Sequence, residues 1–116
     1  MARYTSLFTV GASLDNLRQL LAETLRSCNF DIVYETGDYL VAREVPGRVA
    51  FAKLVTVEVL FDKFQATSDD EVRMNFVVKN EELPLKVDNH CHQKFNLVSQ
   101  AIVENDQLHF IDQVAS

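Results

Sequence analysis

The feature that most constrains the fold is one apolar, β-branched run at residues 51–61, FAKLVTVEVLF. A run of this length and composition predicts a strand in the interior of a sheet. From Leu54 on, its side chains alternate between a wholly apolar face and a mixed face. The apolar face holds Val55, Val57, Val59 and Phe61, and the mixed face holds Leu54, Thr56, Glu58 and Leu60. We therefore expect the apolar face to lie in the core.

Four other segments have the composition of strands. They are residues 3–10, 30–36, 39–45 and 71–79. The turn at residues 36–38 predicts a hairpin with positive φ at Gly37. Pro46-Gly47 predicts a type II turn and a second hairpin, which leads directly into the apolar run. The strands between residues 30 and 79 are therefore predicted to form an antiparallel meander.

Two segments have helical periodicity. The first follows Ser13, a favoured N-cap, and Asn29 can end it in the left-handed conformation. Its inward stripe is Leu14, Leu17, Leu20, Leu21, Thr24, Leu25 and Cys28. The second is predicted to have Asp88 as its N-cap, to end at residues 104–106, and to bury Cys91, Phe95, Val98, Ala101 and Ile102, with Leu97 at the margin. Residues 108–114 fit either a short strand or an extra helical turn.

This order of elements, β-α-β-β-β-β-α, predicts an α+β fold. We expect a two-layer sandwich in which a five-stranded, mainly antiparallel sheet carries two helices on one face. The core should include Val57, Val59, Met74 and Phe76. A chain of 116 residues is long enough to form one such domain over residues 1–116 without disulfides or a metal.

The order of elements resembles that of the TATA-box-binding-protein half-repeat and, more loosely, that of the helix-grip ligand carriers. The chain is also similar in kind to small uncharacterised bacterial proteins of the cyanobacterial type. These resemblances cover nearly the whole chain by element order and contain no residue motif. The helix-grip resemblance implies a carrier that holds a small apolar ligand between the helices and the sheet.

The net charge and the cysteine content indicate which partners and which cellular compartment to expect. The chain has 17 acidic and 11 basic residues and a net charge of −6, which opposes binding to a phosphate backbone. No stretch reaches the roughly 18 to 20 apolar residues that a transmembrane helix needs. Cys28 and Cys91 both lie at inward helical positions, and a reducing, cytoplasmic setting fits unpaired thiols. We expect no nucleic-acid partner, no membrane partner and no cofactor.

The sequence His90-Cys91-His92 is one cluster of soft metal ligands. On a helix the two histidines point in different directions while Cys91 faces the core, so we expect neither a metal site nor a catalytic dyad but two surface histidines. Two acidic groups, residues 69–71 and Glu81-Glu82, lack the spacing of a calcium loop. We expect them to be solvated loop charges. With glycines at positions 11, 37 and 47 only, no phosphate-binding loop is predicted, and the protein is not expected to be an enzyme.

The side of the sheet that faces away from the helices is the predicted functional surface. Leucines and a valine on neighbouring strands there can form one apolar patch, and such patches mark interfaces. The predicted interface comprises Leu7, Leu54, Thr56, Glu58, Leu60, Arg73, Asn75 and Val77. Thr5 and Thr9 share this face, and Arg43, Arg48 and Arg73 add a small basic element. The favoured function is a non-enzymatic protein-interaction or self-association module, with a homodimer as one form. The alternative function is the apolar-ligand carrier, and the alternative for the patch itself is incidental exposure.

Overall fold

A computed structural model of the protein describes residues 1–62 and 71–115. The described residues form an α+β fold with two helices and a six-stranded sheet. In chain order the elements are β1 (Ala2–Val10), α1 (Leu14–Ser27), β2 (Phe30–Glu35), β3 (Tyr39–Glu44), β4 (Thr56–Asp62), β5 (Val72–Asn80), α2 (His90–Glu104) and β6 (Phe110–Ala115). The predicted order is therefore found with one strand added.

The prediction of five strands is wrong because the tail forms β6. Its pattern is too short to identify a strand alone, but β1 offers it a free edge and the two strands pair antiparallel. The strand order across the sheet is β2-β3-β4-β5-β1-β6. The meander from β2 to β5 is confirmed, with antiparallel pairing at each step. β4 lies in the interior of the sheet, as the apolar run predicted.

The start of that run was predicted wrongly. Phe51–Lys53 forms a single 3-10 turn, and β4 begins only at Thr56. The side chain of Asn80 donates a hydrogen bond to the Lys53 carbonyl at 3.0 Å, which holds this turn against the end of β5. Pro46-Gly47 lies in a bend, with φ of +119° at Gly47, and an irregular connection leads from it to β4 instead of a tight hairpin.

The first hairpin forms without the expected backbone conformation at Gly37. Among the described glycines only Gly47 has positive φ. Residues 36–38 connect β2 to β3, and the Thr36 N–H donates a hydrogen bond to the Tyr39 carbonyl at 2.8 Å across this connection.

The core lies between the sheet and both helices. On β4, Val57 and Val59 are fully buried, and Met74 and Phe76 on β5 are buried beside them, as predicted. The helices cover this side of the sheet with their own buried side chains, which are Leu17, Leu21, Ala22, Thr24 and Leu25 from α1 and Cys91, Val98 and Ile102 from α2. The alternation along each strand therefore separates a buried side from an open side.

The two helices begin differently. Asn89, not Asp88, is the N-cap of α2, and its side-chain oxygen accepts a hydrogen bond from the His92 N–H at 2.9 Å. Ser13 is the N-cap of α1 as predicted, but its side chain makes no capping hydrogen bond. Asn29 follows α1 with φ of +71°, which confirms the predicted left-handed ending.

Candidate functional site

The open face is the side of the sheet that points away from the helices. Seven of the eight predicted interface residues lie on it, at alternating positions of β1, β4 and β5. They are Leu7, Thr56, Glu58, Leu60, Arg73, Asn75 and Val77. Leu54 does not belong to this set, because it precedes β4 and lies with Met1 and Phe51 around a small pocket of about 150 Å³.

An apolar band crosses the middle of the open face. Leu60 pairs with Tyr39 on one side and with Asn75 on the other, and Asn75 pairs with Leu7, which pairs with Val114. Leu60 is 46% exposed and Val114 is 50% exposed. A second row beside the first contains Tyr34, Val41, Glu58, Val77 and Thr5. Together the apolar members of these rows form the apolar band: Leu7, Tyr34, Tyr39, Val41, Leu60, Val77 and Val114.

Four members of the band were missed by sequence reasoning. Tyr39 and Val41 alternate with the buried Leu40 and Ala42, so their position on the open face could have been read from the β3 pattern. Tyr34 contacts the ring of Tyr39, with centroids 6.1 Å apart, only because a bulge in β2 changes the register after Ile32. Sequence alone gives no signal for that bulge.

Charged residues border the band at both ends of the strands. The first border, the basic end, holds Arg3, Arg43 and Lys79 together with Asp31. The second border, the acidic end, holds Asp62 and Asp112 together with Arg73. Of the predicted basic element, Arg43 and Arg73 therefore lie at opposite ends of the face, while Arg48 lies outside the sheet. The three arginines do not form one cluster.

The open face contains an ion pair between β4 and β5. Lys79 Nζ is 2.7 Å from Glu58 Oε1, and both side chains are about one third exposed. Partial burial raises the pKa of the Tyr39 phenol, and the nearby Glu58 carboxylate raises it further. The Tyr39 hydroxyl also hydrogen-bonds the Glu58 side chain, which joins this tyrosine to the ion pair.

A second polar cluster lies on the buried side of the sheet, at the start of α2. The carboxylate of Glu44 on β3 is 1% exposed. It lies 2.9 and 3.1 Å from His90 Nε2, accepts a hydrogen bond from the Val55 N–H at 3.1 Å, and lies 3.9 Å from Lys94 Nζ. Lys94 also donates to the Cys28 carbonyl at 3.1 Å. These contacts join α2 to β3 and to the end of α1.

The three residues of the His90-Cys91-His92 motif have separate environments. His90 is paired with Glu44, so the expectation of a surface residue is wrong for it. Its carboxylate partner gave no sequence signal because Glu44 lies on β3, 46 positions earlier in the chain. His92 packs against the Tyr4 ring, with centroids 4.9 Å apart. Cys91 is fully buried as predicted, and burial together with the Glu82 and Glu44 carboxylates raises the pKa of its thiol to about 12.

The acidic pair at residues 81 and 82 is not simply solvated. Glu81 is exposed, but Glu82 Oε1 accepts hydrogen bonds from the Cys91 N–H at 2.7 Å and from the Asn80 side chain at 2.8 Å. Burial opposes ionisation, but these hydrogen bonds prevail and lower the pKa of Glu82. It thus satisfies a free N–H at the start of α2. In the other acidic group, Asp69 and Asp70 lie outside the described residues, and Glu71 directly precedes β5.

Two further surface features were not foreseen. Several large apolar side chains are strongly exposed on loops at one end of the sheet, where the Glu81 N–H donates to the Ala52 carbonyl at 3.3 Å. These side chains are Phe51, Leu83, Leu85 and Val87. A groove of about 700 Å³ lies at the start of α1 and is lined mainly by polar groups, among them Ser13, Asn16, Glu23 and His109.

Comparisons with known proteins assign no family. No model of a known protein family matches the chain, and no curated protein matches its sequence. In residues 1–62 and 71–115, no three metal-ligating side chains converge on a point that could hold a metal ion. Neither described helix is long and apolar enough to cross a membrane.

Proposed function

We propose that the protein is a non-enzymatic interaction module that binds a protein partner, or a second copy of itself, through the open face. The observation that carries this proposal is the apolar band. Its members lie in two adjacent rows across the strands, with Asn75 inside one row and Glu58 inside the other. Leu60, Val114 and Tyr34 are each about half exposed. A contiguous apolar patch with a charged border has the anatomy of an interface core and rim.

The energy available from covering the band is sufficient for association. Fully burying one large apolar side chain contributes about 1.5 to 3 kcal/mol. Tyr34 and Tyr39 suit this role, because aromatic residues are enriched at the centres of interfaces. Several covered side chains can therefore offset the cost of association, which is roughly 4 to 15 kcal/mol.

The alternative function, a carrier for a small apolar ligand, has less support. A carrier needs a cavity of roughly 300 to 1,000 Å³ lined mainly by apolar groups. The layer between helices and sheet is instead filled by large side chains with almost no exposure, including Phe8, Phe76, Leu21 and Ile102. The groove at the start of α1 is large enough, but its lining is mainly polar.

The polar cluster on the buried side also favours a non-enzymatic role. A catalytic thiol must ionise and reach its substrate, whereas Cys91 is fully buried and its pKa is about 12. His90 and Glu44 are engaged with each other, and Glu44 also accepts a hydrogen bond from the Val55 N–H, directly before β4. The two thiols, both unpaired and buried, fit the cytoplasmic setting expected from the sequence. The net charge of −6 argues against nucleic acid as the partner.

A pair of matched variants tests the proposed surface. Leu60→Glu places a charge in the apolar band, whereas Leu97→Glu places the same charge on the outer side of α2 at nearly the same exposure, 45% against 46%. We expect Leu60→Glu to lower the sedimentation mass from dimer to monomer, or to abolish capture of a partner. Leu97→Glu should leave the association unchanged.

Circular dichroism of both variants should match the wild type, since neither side chain is buried. The proposal fails if the wild-type protein is a monomer that captures no partner. It also fails if Leu97→Glu disrupts association as strongly as Leu60→Glu, since the contact would then not be specific to the open face.

A further inference from the structure

We propose that one end of the molecule, formed by apolar loops beside the basic end of the open face, binds the surface of an anionic lipid bilayer. This inference goes beyond the proposed function and uses a different surface, so neither depends on the other. The absence of a membrane partner was expected because no stretch is long enough to span a bilayer, but a protein that enters only the headgroup layer needs no such stretch. Two observations carry the proposal: strongly exposed apolar side chains at this end, and the separation of charge between the two ends of the sheet.

Four large apolar side chains project from two loops beside the basic end. The connection between β3 and β4 carries one of them, and the loop between β5 and α2 carries three. They form the apolar tip, which comprises Phe51, Leu83, Leu85 and Val87, each between 67% and 85% exposed. Single exposed apolar residues are common on protein surfaces, whereas several at one place mark a binding surface.

Hydrogen bonds hold the two loops against each other and against the sheet. The Glu81 N–H, directly after β5, donates to the Ala52 carbonyl at 3.3 Å. At the other end of the second loop, the side chain of Asn89 donates to the Lys86 carbonyl at 2.9 Å and to the Tyr4 hydroxyl of β1 at 2.6 Å. The apolar tip is therefore presented by loops that are anchored at the end of the sheet.

Basic side chains outnumber acidic ones around the apolar tip. The exposed basic residues on these loops and on the adjoining strand ends are Arg3, Arg43, Arg48, Lys53 and Lys86. The exposed acidic residues there are Asp31, Glu81 and Asp88. Lys79 is paired with Glu58, and Lys94 with the buried Glu44. Glu82 is half-buried and accepts a hydrogen bond at the start of α2. This end of the molecule therefore has a local excess of positive charge.

Acidic side chains collect at the opposite end of the strands. Around the acidic end they are Asp15, Glu35, Asp38, Asp62, Glu71, Glu104, Asp106 and Asp112, beside Arg18 and Arg73. β5 runs between the two ends over nine residues, or roughly 30 Å. Exposed charges are screened over about 8 Å at physiological salt, so the acidic end has little effect on a surface that contacts the apolar tip. The net charge of −6 therefore does not describe the charge that such a surface meets.

An anionic bilayer matches both the apolar and the basic features of this end. Its headgroups attract lysine and arginine, and large apolar side chains enter the boundary between the headgroups and the acyl chains. Lys53 lies two positions from Phe51, and Lys86 lies between Leu85 and Val87, so each loop carries a cation beside its apolar side chains. A fluid bilayer accepts side chains that project separately, whereas a protein partner has to provide a matching pocket for each. The bilayer is therefore the occupant that these observations favour.

Sedimentation with lipid vesicles tests the proposal. We expect the protein to bind vesicles of phosphatidylcholine mixed with phosphatidylglycerol about tenfold more tightly than vesicles of phosphatidylcholine alone. The difference should shrink as the salt concentration is raised, because salt screens the attraction between the basic side chains and the anionic headgroups.

Matched variants locate the contact with the vesicles. Leu85→Glu places a charge in the apolar tip, and Leu97→Glu places the same charge on the outer side of α2. Both leucines are exposed, so circular dichroism of the variants should match that of the wild type. We expect Leu85→Glu to weaken binding to the anionic vesicles about tenfold and Leu97→Glu to leave it unchanged. Lys53→Glu combined with Lys86→Glu should remove the preference for anionic vesicles.

Fluorescence reports whether the apolar tip enters the bilayer. The chain contains no tryptophan, so a single introduced tryptophan reports its own environment. In Leu85→Trp, anionic vesicles should shift the emission maximum to shorter wavelength, because the indole leaves water for the interfacial layer. Leu97→Trp is the control and should show no shift.

Failure of this inference is distinguishable from failure of the proposed function. If the wild type does not bind anionic vesicles, or if Leu85→Glu binds them as tightly as the wild type does, the bilayer is excluded as the occupant of the apolar tip. Capture of an acidic protein without vesicle binding, abolished by Leu85→Glu, would assign the apolar tip to a protein and overturn the proposal. Leu60→Glu should bind vesicles as the wild type does, since loss of vesicle binding in that variant would place the lipid contact on the open face instead.

Discussion

The two sides of this sheet each contain a glutamate paired with a cation, and their environments differ sharply. Glu44 on the buried side is 1% exposed and binds His90, Lys94 and a backbone N–H. Glu58 on the open side is 28% exposed and contacts Lys79. The buried pair joins three elements of the fold, whereas the open pair joins two neighbouring strands that the backbone already connects. The ion pair of Glu44 therefore has a structural role on the buried side. The ion pair of Glu58 adds little to the fold and leaves the open side available for contact.

The largest expected difference in stability between the two sides comes from placing a charge on each side of β4. Val59 is fully buried and Leu60, the next residue, is 46% exposed. We expect Val59→Glu to unfold the protein, because an unpaired carboxylate in the core costs several kcal/mol. Leu60→Glu should change the free energy of unfolding of the monomer by less than about 1 kcal/mol. Urea denaturation at low protein concentration, where self-association is absent, measures both. Equal losses of unfolding free energy in the two variants would mean that the two sides of β4 do not differ in burial.

The two glutamates give the next largest contrast. Glu44→Ala leaves His90 and Lys94 beside an empty position on the buried side, and loss of one partner of a buried pair costs about 3 to 5 kcal/mol. Glu58→Ala should cost about 1 kcal/mol or less, since partly exposed pairs contribute little. Chemical denaturation at neutral pH compares them. A small effect of Glu44→Ala would show that water replaces the lost carboxylate.

The smallest expected difference between the two sides is in the loss of folding stability at alkaline pH. The pKa of Cys91 is 9.0 in the unfolded chain and about 12 in the folded protein, so the folded state holds the proton more tightly. Its contribution to stability is complete below pH 9 and is lost as the pH rises toward 12. By pH 10 the loss is on the order of 1 kcal/mol. Denaturation curves at pH 8 and pH 10 measure it.

Two variants assign that alkaline loss to the buried side. Cys91→Ala should flatten the dependence between pH 8 and pH 10, whatever its effect on stability at pH 8. Tyr39→Phe removes a titrating group from the open side and should leave the dependence in place, because the pKa of Tyr39 is raised from 10.0. An unchanged slope in Cys91→Ala would assign the effect to other groups, such as the Cys28 thiol.

Alternation along the strands made most of the sheet predictable. Val57, Val59, Met74 and Phe76 repeat every second residue and are buried as expected, because one side of a strand must face the core. The start of α2 and the beginning of β4 were less predictable. The first depends on whether Asn89 or Asp88 supplies the cap, and the second on a contact from Asn80, which lies far along the chain.

The candidate surface could be predicted only where its members lie on strands with clear alternation. Leu7, Leu60 and Val77 were found in this way. Val114 was missed because β6 becomes a strand through pairing with β1, which is a long-range contact that local sequence does not encode. The pairing of His90 with Glu44 was missed for the same reason, since 46 residues separate them.

The position of β1 between β5 and β6 also determines when the fold can be completed. Ala2 pairs with Asn80, and Ser6 pairs with Ala115, so both neighbours of β1 come from much later in the chain. During synthesis the meander of β2 to β4 can form while β1 still has no partner strand. Closing such long loops is slow, and proteins dominated by distant pairings fold in milliseconds to seconds. Until β5 and then β6 emerge, both edges of β1 remain open to pairing with another nascent chain.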